Sequence, residues 1–510
     1  MPKSTEKPEK RAQGETNGLK KHLVFIGMML CKHFKVLFIR LILMSLQNIK
    51  ELNAKAKRLA ERINAEHSIA IIHHYDADGI ASGAIIGKAL QRADKEVSFK
   101  GMKQLYSETI EELRSLADFL VFVDFGSAYI AELDKALKGN YIVIDHHQPK
   151  TTNQKNFLNC CHYNIDGSFE ASGSTLAYIV AKYLGNNYDL SSLAIVGSVG
   201  DMQDSSGKLL GLNRIVLEEA VKHSIIGVRK DLRLYGRITR PLVQFLAYST
   251  DPILPMLTGS EENCLRFLRS KGFELKRNEH WLSYEELSYE ERKRLATELI
   301  LHLDSFNVPE WKIARLIGEV YTLLKEPYGT PLRDAKEYAT LLNACGRNDA
   351  IEVALAVCLG DRDLEFSKAL SILAEHRKKL REGIQLMIEE GVSERESFYY
   401  FNAGSRIKDS LIGVVAGMLY SSGAISPTKP IIALALQEDG FIKVSARATQ
   451  ELVRAGLNLG KALRECCAEL NSKAEGGGHV IAAGCRIEEN ELEEFLKKLD
   501  KKLKEQLAGN

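Results

Sequence analysis

Four short apolar runs in the first 205 residues each lead into acidic or histidine side chains. They span residues 68–73 (SIAIIH), 119–123 (FLVFV), 141–144 (YIVI) and 193–199 (LAIVGSV). Continuous, largely β-branched runs of this length are typical of buried strands in a parallel sheet. Helical patterns separate the runs, for example over residues 80–92 and 172–184. The alternation predicts an α/β domain at 44–205 with a doubly wound parallel sheet, whose strand ends present the polar residues along one edge.

The rest of the chain is predicted to form three further parts. Residues 206–340 are expected to be mostly helical, with helices over 207–242 and an inserted module at about 243–330. Residues 341–395 are predicted as connector helices, including one long amphipathic helix over 364–390. Residues 396–510 are expected to form a smaller α/β domain. Its predicted strands are 398–401, 430–436, 441–445 and 480–487, and its predicted helices are 410–420, 450–470 and 489–507.

The first 43 residues are predicted to lie outside the fold. Residues 1–50 carry ten Lys or Arg against three Glu, and the apolar stretch 23–46 is interrupted by charged or polar residues, namely Lys32, His33, Lys35 and Arg40. These charges argue against a membrane-spanning helix, and no small-residue cleavage pattern indicates a signal peptide. We expect a disordered basic extension, or a native start at Met44, where an amphipathic helical sequence begins.

Charge and cysteine content limit the partners and the compartment. The formal net charge is only +2, so a nucleic-acid partner must be bound by a local groove rather than by a global basic field. The nine cysteines include no CxxC pair, which is typical of thiols in a reducing compartment. We therefore expect a cytoplasmic protein that is not anchored in a membrane.

The residues that follow the four runs have the composition of a hard-cation site. They are His74, Asp76 and Asp78 after the first run, Asp124 after the second, Asp145, His146 and His147 after the third, and Asp201 after the fourth. Asp before a helix is often an N-cap, but one cap does not account for a His and two Asp together. Carboxylates and imidazoles without thiolates suit Mn²⁺ or Mg²⁺. Two divalent cations would relieve the repulsion and activate water for attack on phosphorus, with Asp124 as the natural bridging ligand.

The motifs HYDADG, VDFG, DHH and GDMQD resemble, in order and spacing, the four motifs of the DHH phosphoesterase superfamily. The resemblance implies that His74, Asp76, Asp78, Asp124, His146 and Asp201 bind metal. It also implies that Asp145 orients a neighbouring histidine and that His147 faces the phosphate, so that Asp145, His147 and Asp124 are the catalytic candidates. The role of Asp204 stays open.

Two later segments extend the resemblance. LLNACGR, residues 341–347, is similar to a segment of RecJ-type exonucleases, which implies substrate contact by Arg347. KVSARAT, residues 443–449, and the glycine run before residue 480 resemble the DHHA1 domain. Three glycines can form an anion-binding turn, and the resemblance implies a grip on the substrate backbone by a further set of residues: Ser445, Arg447, Gly476, Gly477, Gly478 and His479.

The resemblance favours a RecJ-like exonuclease that uses two divalent cations, Mn²⁺ before Mg²⁺, to release mononucleotides from single-stranded DNA or RNA. The size, the insertion and the absence of an OB-like segment after the DHHA1-like domain favour the archaeal RecJ-like proteins, including the GINS-associated nuclease type. The GINS complex is then an expected partner, and DNA replication or repair the expected process. Two alternatives remain: a nano-RNase, pAp or cyclic-dinucleotide phosphodiesterase, and a replisome scaffold with little catalysis.

Overall fold

The computed structural model describes residues 46–105, 107–151, 155–249, 251–422, 425–470 and 475–508. The hypotheses about the N-terminal extension, its apolar stretch and the start at Met44 therefore lie outside the described residues. Within these ranges no helix has the length and apolar character needed to cross a membrane.

The first domain is built on a five-stranded parallel sheet with the order β2-β1-β3-β4-β5. The strands are β1 (Ser68–His74), β2 (Glu96–Met102), β3 (Phe119–Val123), β4 (Tyr141–Asp145) and β5 (Phe157–Asn159). The helices are α1 (46–65), α2 (Ala77–Gln91), α3 (Ser107–Leu113), α4 (Ile130–Leu137), α5 (Gly173–Ala181) and α6 (Ser191–Gly200). Alternate residues of β1 enter different cores, with Ile69 and Ile71 on one face and Ala70 and Ile72 on the other. The sheet is therefore covered on both faces, as the doubly wound prediction requires.

The prediction of a strand at 193–199 is wrong, because this run lies inside α6. The helix packs against α2 and α5, and its residues are buried from Leu193 to Val199. A helix covered on every side needs no polar face, so its sequence resembles a buried strand. Three strands and one helix, rather than four strands, therefore carry the polar residues.

The middle of the chain contains a small antiparallel sheet as well as helices, so the prediction of helix throughout 207–242 is wrong. The elements are α7 (Gly211–Lys222), β6 (Ile226–Leu232), α8 (Leu242–Ala247), α9 (Glu261–Ser270), β7 (Lys276–Arg277), β8 (His280–Trp281), α10 (Tyr289–Ser305), α11 (Glu310–Ile313) and β9 (Ile317–Leu323). Strand β6 pairs with β9, and the segment between them forms its own core around residues such as Leu246, Cys264 and Leu299. We refer to residues 233–316 as the inserted module.

Three helices connect the module to the C-terminal domain. They are α12 (Ala335–Arg347), α13 (Ile351–Leu359) and α14 (Leu364–Glu390), and α14 coincides with the predicted long helix. Short 3₁₀ helices occur at Cys160–Tyr163, Tyr188–Leu190, Tyr284–Glu286, Ala314–Leu316, Pro331–Arg333 and Glu489–Glu491.

The C-terminal domain is a six-stranded mixed sheet with the order β10-β11-β12-β13-β15-β14 and helices on its faces. Its elements are β10 (Ser393–Glu394), β11 (Tyr399–Asn402), α15 (Asp409–Ser422), β12 (Ile431–Leu436), β13 (Ile442–Arg447), α16 (Gln450–Arg454), α17 (Leu459–Ala468), β14 (Glu475–Gly478), β15 (Ala482–Ile487) and α18 (Leu492–Ala508). The helix predicted over 450–470 is interrupted at Gly456, whose φ of +99° ends α16.

The glycine run forms an edge strand, β14, instead of the predicted turn. A side chain at Gly476 would place its Cβ 2.7 Å from Cys467 Sγ, so glycine lets the strand lie directly against α17. Close packing, rather than a turn, accounts for this glycine.

Candidate metal centre

The carboxyl ends of β1, β3 and β4 and the end of α6 bring the predicted ligands together. Asp201 is the C-cap of α6, so the helix delivers it to the position predicted for a strand end. The ligand atoms of the six predicted ligands form two groups of three in which all atoms lie within 4.8 Å of one another, and a third, overlapping group joins Asp124, Asp145, His146 and His147. One group is His74, Asp76 and Asp124, and the other is Asp78, His146 and Asp201.

Asp124 stands between the two groups. Its Oδ2 lies 3.5 Å from His74 Nδ1, and its Oδ1 lies 3.2 Å from His146 Nε2. The backbone of Asp124 has a φ of +65°, an unfavourable left-handed conformation for a residue with a side chain. The hydrogen bond from its N–H to Ile144 O, at 2.9 Å, fixes it in this conformation. One oxygen of Asp124 therefore faces each group.

Asp76 combines the two roles that the sequence left as alternatives. Its Oδ1 accepts a 3.0 Å hydrogen bond from Gly79 N and caps α2, while its Oδ2 lies 3.0 Å from His74 Nδ1. Burial would raise the pKa of Asp76, but His74 outweighs burial and lowers it. The same residue can therefore cap the helix and carry a charged oxygen toward the cluster.

His146 is oriented by a backbone carbonyl. Its Nδ1 lies 2.6 Å from Gly167 O, and since a carbonyl only accepts, Nδ1 must carry the proton. Nε2 then faces Asp124. This arrangement, a ring nitrogen held by a carbonyl while the other points into a cluster of carboxylates, is common in metal-binding histidines.

Asp145 fixes the DHH segment through hydrogen bonds. Its Oδ1 accepts hydrogen bonds from His146 N at 2.8 Å and His147 Nδ1 at 2.8 Å, and its Oδ2 accepts one from Ser127 N at 2.9 Å. Asp145 is 1% exposed, whereas the His147 side chain is 48% exposed. Burial opposes ionisation of His147, but Asp145 outweighs it and raises the pKa of His147. His147 Nε2 is thus left available on the open side of the cluster.

Asp78 is buried against the start of α5. Its two oxygens accept hydrogen bonds from Gly173 N at 2.6 Å and Ser174 N at 3.0 Å. Burial and the charge of Asp124 nevertheless raise the pKa of Asp78 well above its usual range. Burial and Asp124 also raise the pKa of Asp201, against the opposing effect of His146. The cluster therefore carries more negative charge than its hydrogen bonds compensate.

Several residues that support the site were not identified from the sequence. Gln203 Nε2 donates to Asp201 Oδ2 at 2.8 Å and to Gly167 O at 2.8 Å, and its Oε1 accepts from Asn213 Nδ2 at 2.6 Å. Ser172, which caps α5 through Thr175 N, could have been found from its cap position before an apolar helix. The sequence carries no signal for the carbonyl of Gly167.

Asp204, whose role the sequence left open, anchors the loop after α6. Arg233 Nη2 donates to Asp204 Oδ2 at 2.6 Å and to Asp204 O at 2.7 Å, and both side chains are nearly buried. Arg233 follows β6 and begins the inserted module. Asp204 is therefore a link between the module and the loop that carries Asp201.

The donor set fits divalent cations. No hydrogen bond from a described residue satisfies the buried Oδ1 of Asp124, and the surrounding ligand atoms are hard oxygens and imidazole nitrogens. Burial opposes ionisation of His146, but the carboxylates of Asp124, Asp201 and Asp78 outweigh it and raise the pKa of His146 well above its usual value. These residues can hold divalent cations without rearrangement of the fold.

The predicted substrate residues surround the cluster at different distances. A Cβ on Gly346 would lie 1.9 Å from Tyr75 O, so the end of α12 that carries Arg347 packs directly on the HYDADG segment. Burial, and then the charge of Arg347, lower the pKa of Arg447 to about 10, which places the two arginines near each other. Ser445 is buried in the sheet beside Arg447.

His479, which follows β14, interacts electrostatically with the cluster. Burial lowers its pKa, Asp201 opposes this, and the charges of His147 and His146 add to it. A Cβ on Gly476 would meet α17 and one on Gly478 would meet β15, whereas a Cβ on Gly477 would meet no atom within 4 Å. Of the predicted substrate residues, His479 is thus within electrostatic reach of the metal ligands, whereas Ser445 and Gly476 are packed inside the C-terminal domain.

Comparison with known proteins agrees with this architecture. The chain matches the "DHH family, N-terminal domain" over residues 68–197, the "DHH-CID domain" over 234–317 and the "DHHA1 domain" over 399–505. It is 31% identical over 472 residues to the uncharacterised protein MJ0831 of Methanocaldococcus jannaschii, covering 91% of this chain and 99% of that protein.

Two solved structures share the fold at low sequence identity. RecJ of Thermus thermophilus in complex with Mn²⁺ superimposes with a TM-score of 0.54 at 19% identity, over 89% of this chain and 54% of that chain. CDC45 of Entamoeba histolytica superimposes with a TM-score of 0.58 at 14% identity, over 90% of this chain and 99% of that chain. The chain therefore spans about half the length of that RecJ and nearly all of that CDC45.

Proposed function

Because the chain belongs to the DHH family, we propose that it is a RecJ-like, metal-dependent exonuclease that releases mononucleotides from single-stranded DNA or RNA. Two divalent cations, Mn²⁺ in preference to Mg²⁺, would supply an activated water and neutralise the developing negative charge on phosphorus. One cation would be held by His74, Asp76 and Asp124. The other would be held by Asp78, His146 and Asp201, together with Asp124.

The observation that carries this proposal is the position of Asp124. Two groups of ligand atoms meet at its two oxygens, one of which is buried without a hydrogen bond. A carboxylate in that position is suited to bridge two cations. The half-exposed His147 borders the same cluster and leaves room for a phosphodiester on the open side.

The neighbouring side chains have separate tasks in this proposal. Asp145 holds His147 by the 2.8 Å bond to Nδ1, so that Nε2–H donates to a phosphate oxygen. Arg347 and Arg447, which come from α12 and β13, bind the backbone of the strand from two sides. A site built across two domains with arginines on both sides suits a polymer better than a small nucleotide.

Hydrolysis assays with the full chain in Mn²⁺ test the proposal. Labelled single-stranded DNA and RNA are compared with pAp and cyclic dinucleotides, and Asp124→Ala serves as the inactive control. Release of mononucleotides from the long strands is the expected result. Activity confined to the small substrates would contradict it and favour the phosphodiesterase alternative.

A scaffold role in the replisome is a second candidate, because the fold is shared with CDC45 as well as with RecJ. Binding to the purified GINS complex is the matching measurement. Tight binding together with no turnover on any of the four substrate classes would favour the scaffold. We place the scaffold role second to catalysis, because a scaffold does not need the buried carboxylates. Replication or repair, as the process served, is likewise secondary to catalysis in this proposal.

A further inference from the structure

A basic and aromatic cluster lies between the inserted module and the connector helix α14, outside the metal centre. We call it the arginine–tyrosine groove, and it consists of Tyr235, Arg240, Tyr248 and Arg377, with the exposed Arg381 near Tyr248. The Arg240 guanidinium lies 4.6 Å from the ring centre of Tyr235 and 5.1 Å from that of Tyr248. Arg377 lies 5.7 Å from the Tyr235 ring, and its Nη2 donates to the Tyr235 hydroxyl at 2.6 Å.

The arginines of the groove lack acidic partners. Among the described residues, no carboxylate lies within ion-pair distance of Arg240, Arg377 or Arg381, and the buried Arg240 Nη1 and Arg377 Nε have no hydrogen-bond partner. By contrast, Arg229 and Arg237 are paired with Glu285. Buried charge without a partner is unfavourable unless a ligand completes it.

The buried acid Glu337 forms no ion pair with the arginines of the groove. Glu337 Oε1 accepts a hydrogen bond from Ile238 N at 2.8 Å, and its Oε2 accepts one from the Thr239 hydroxyl at 2.5 Å. Burial and the charge of Asp334 raise the pKa of Glu337 to about 7, so its negative charge is only partial at neutral pH. Burial and Arg377 in turn lower the pKa of Arg240, against the opposing effects of Tyr235 and Glu337.

His376 on α14 lies close to both Arg347 and the groove. Arg347 precedes Asn348, whose Nδ2 lies 3.1 Å from His376 Nδ1. Burial, and then the charges of Arg347 and Arg377, lower the pKa of His376 to about 4. The positive charges of Arg347 and Arg377 therefore both act on a buried, uncharged His376.

We propose that the arginine–tyrosine groove binds the part of a single-stranded nucleic acid that extends beyond the nucleotides at the metal centre. The inference rests on the proposed function and adds a second substrate contact to it. Phosphates are bound by Arg240, Arg377 and Arg381. Tyr235 positions Arg240 and Arg377. Tyr248, which is 38% exposed and anchored by its hydroxyl to Glu261, offers a ring face on which a base stacks. An aromatic ring between unpaired arginines suits a phosphodiester strand better than an acidic peptide, which needs no stacking surface.

Strand binding by the full chain tests this inference without requiring cleavage. Fluorescence anisotropy is measured in EDTA with a labelled oligothymidylate of about 12 nucleotides. The variants are Tyr248→Ala and the pair Arg240→Gln with Arg377→Gln. The matched control is Arg315→Gln, an arginine of the same module that pairs with Asp251 at 2.6 Å. Melting curves confirm that each variant is folded.

We expect Tyr248→Ala to weaken binding about tenfold, and the double arginine variant to reduce the slope of log K against log salt by about 1.4. In Mn²⁺, kcat/KM for the long strand should fall by a similar factor, mainly through KM, while that for a dinucleotide should stay within about twofold of wild type. The control should match wild type in both measurements.

Other outcomes overturn the inference. Unchanged binding and salt slope in both variants would mean that the arginines and tyrosines only join the module to α14, or that the groove binds a different partner such as an acidic peptide. Equal loss on the dinucleotide and the long strand would indicate a general structural effect. Failure of wild type to cleave any strand, with binding still lost in the variants, would refute the proposed function and leave the groove assignment in place.

Discussion

Replacement of Gly173 by alanine should impair the metal centre while changing the stability of the fold only slightly. Gly173 begins α5, and its N–H donates to Asp78 at 2.6 Å. Alanine keeps this N–H and adds only one methyl group. That methyl would lie 2.7 Å from Asp124 Oδ1, 2.8 Å from Asp124 Cβ and 3.0 Å from Asp124 Cγ.

The distances give the size of the expected effect. An ordinary contact between a methyl carbon and an oxygen is about 3.4 Å, so the Asp124 carboxylate must move by about 0.7 Å. Overpacking of this kind costs about 1–3 kcal/mol, and the higher helix propensity of alanine offsets about 0.5–1 kcal/mol of that. The melting temperature should therefore change by only a few degrees. Displacement of a bridging ligand by this distance should reduce kcat by about 100-fold.

Gly87→Ala is the matched control. Gly87 also lies in a helix, α2, and its added methyl would approach the Phe99 ring to 2.3 Å, away from the ligands. This variant should lose stability but keep the activity of each folded molecule. Melting curves, Mn²⁺ titration by calorimetry and single-strand hydrolysis are measured for both variants. Equal activity of Gly173→Ala and wild type, or equal loss in both variants, would refute the assignment of Asp124 to the shared position.

Three further predictions follow from the same geometry. Asp124→Ala should leave the fold intact and reduce hydrolysis below about a tenth of wild type, since it removes the ligand common to both groups; higher activity would contradict the two-cation proposal. Arg447→Ala should weaken strand binding and lower its salt slope by about 0.7, whereas an unchanged slope would make Arg447 a structural residue. Asp204→Ala should lower the free energy of unfolding by about 3–5 kcal/mol, because it leaves Arg233 buried and unpaired, and urea unfolding measures this effect. The same change should weaken Mn²⁺ binding through the loop that carries Asp201, which calorimetry measures. An unchanged Mn²⁺ affinity would mean that the ion pair contributes to stability alone.

The sequence predicted the parts of the fold that depend on local pattern. Strands β1, β3 and β4 have continuous apolar runs, and α14 has a clear amphipathic period, so their positions were predictable. Helix α6 was mistaken for a strand because helices buried on all sides lose that period. Strand β14 was mistaken for a turn because glycine permits close packing as well as tight turns.

The candidate site likewise combines residues that local pattern predicts with contacts that it does not predict. The eight polar residues of the four motifs could be predicted as a set, because each follows an apolar run. Contacts such as Gln203 with Gly167, or Arg233 with Asp204, join segments that are far apart in the sequence. They depend on tertiary packing, for which local pattern carries no information.

The buried carboxylates distinguish catalysis from a purely structural role. Asp78 and Asp124 are almost inaccessible, Asp124 has a left-handed backbone, and burial with mutual repulsion raises the pKa of Asp78. Apolar side chains of similar volume would stabilise a scaffold at least as well as these charges do. Divalent cations offset the repulsion, so the cluster favours metal-dependent hydrolysis over a role that needs only the shape of the fold. In the proposed function, Arg347, Arg447 and the arginine–tyrosine groove would select a polymer by contacting the strand at a distance from the reacting bond.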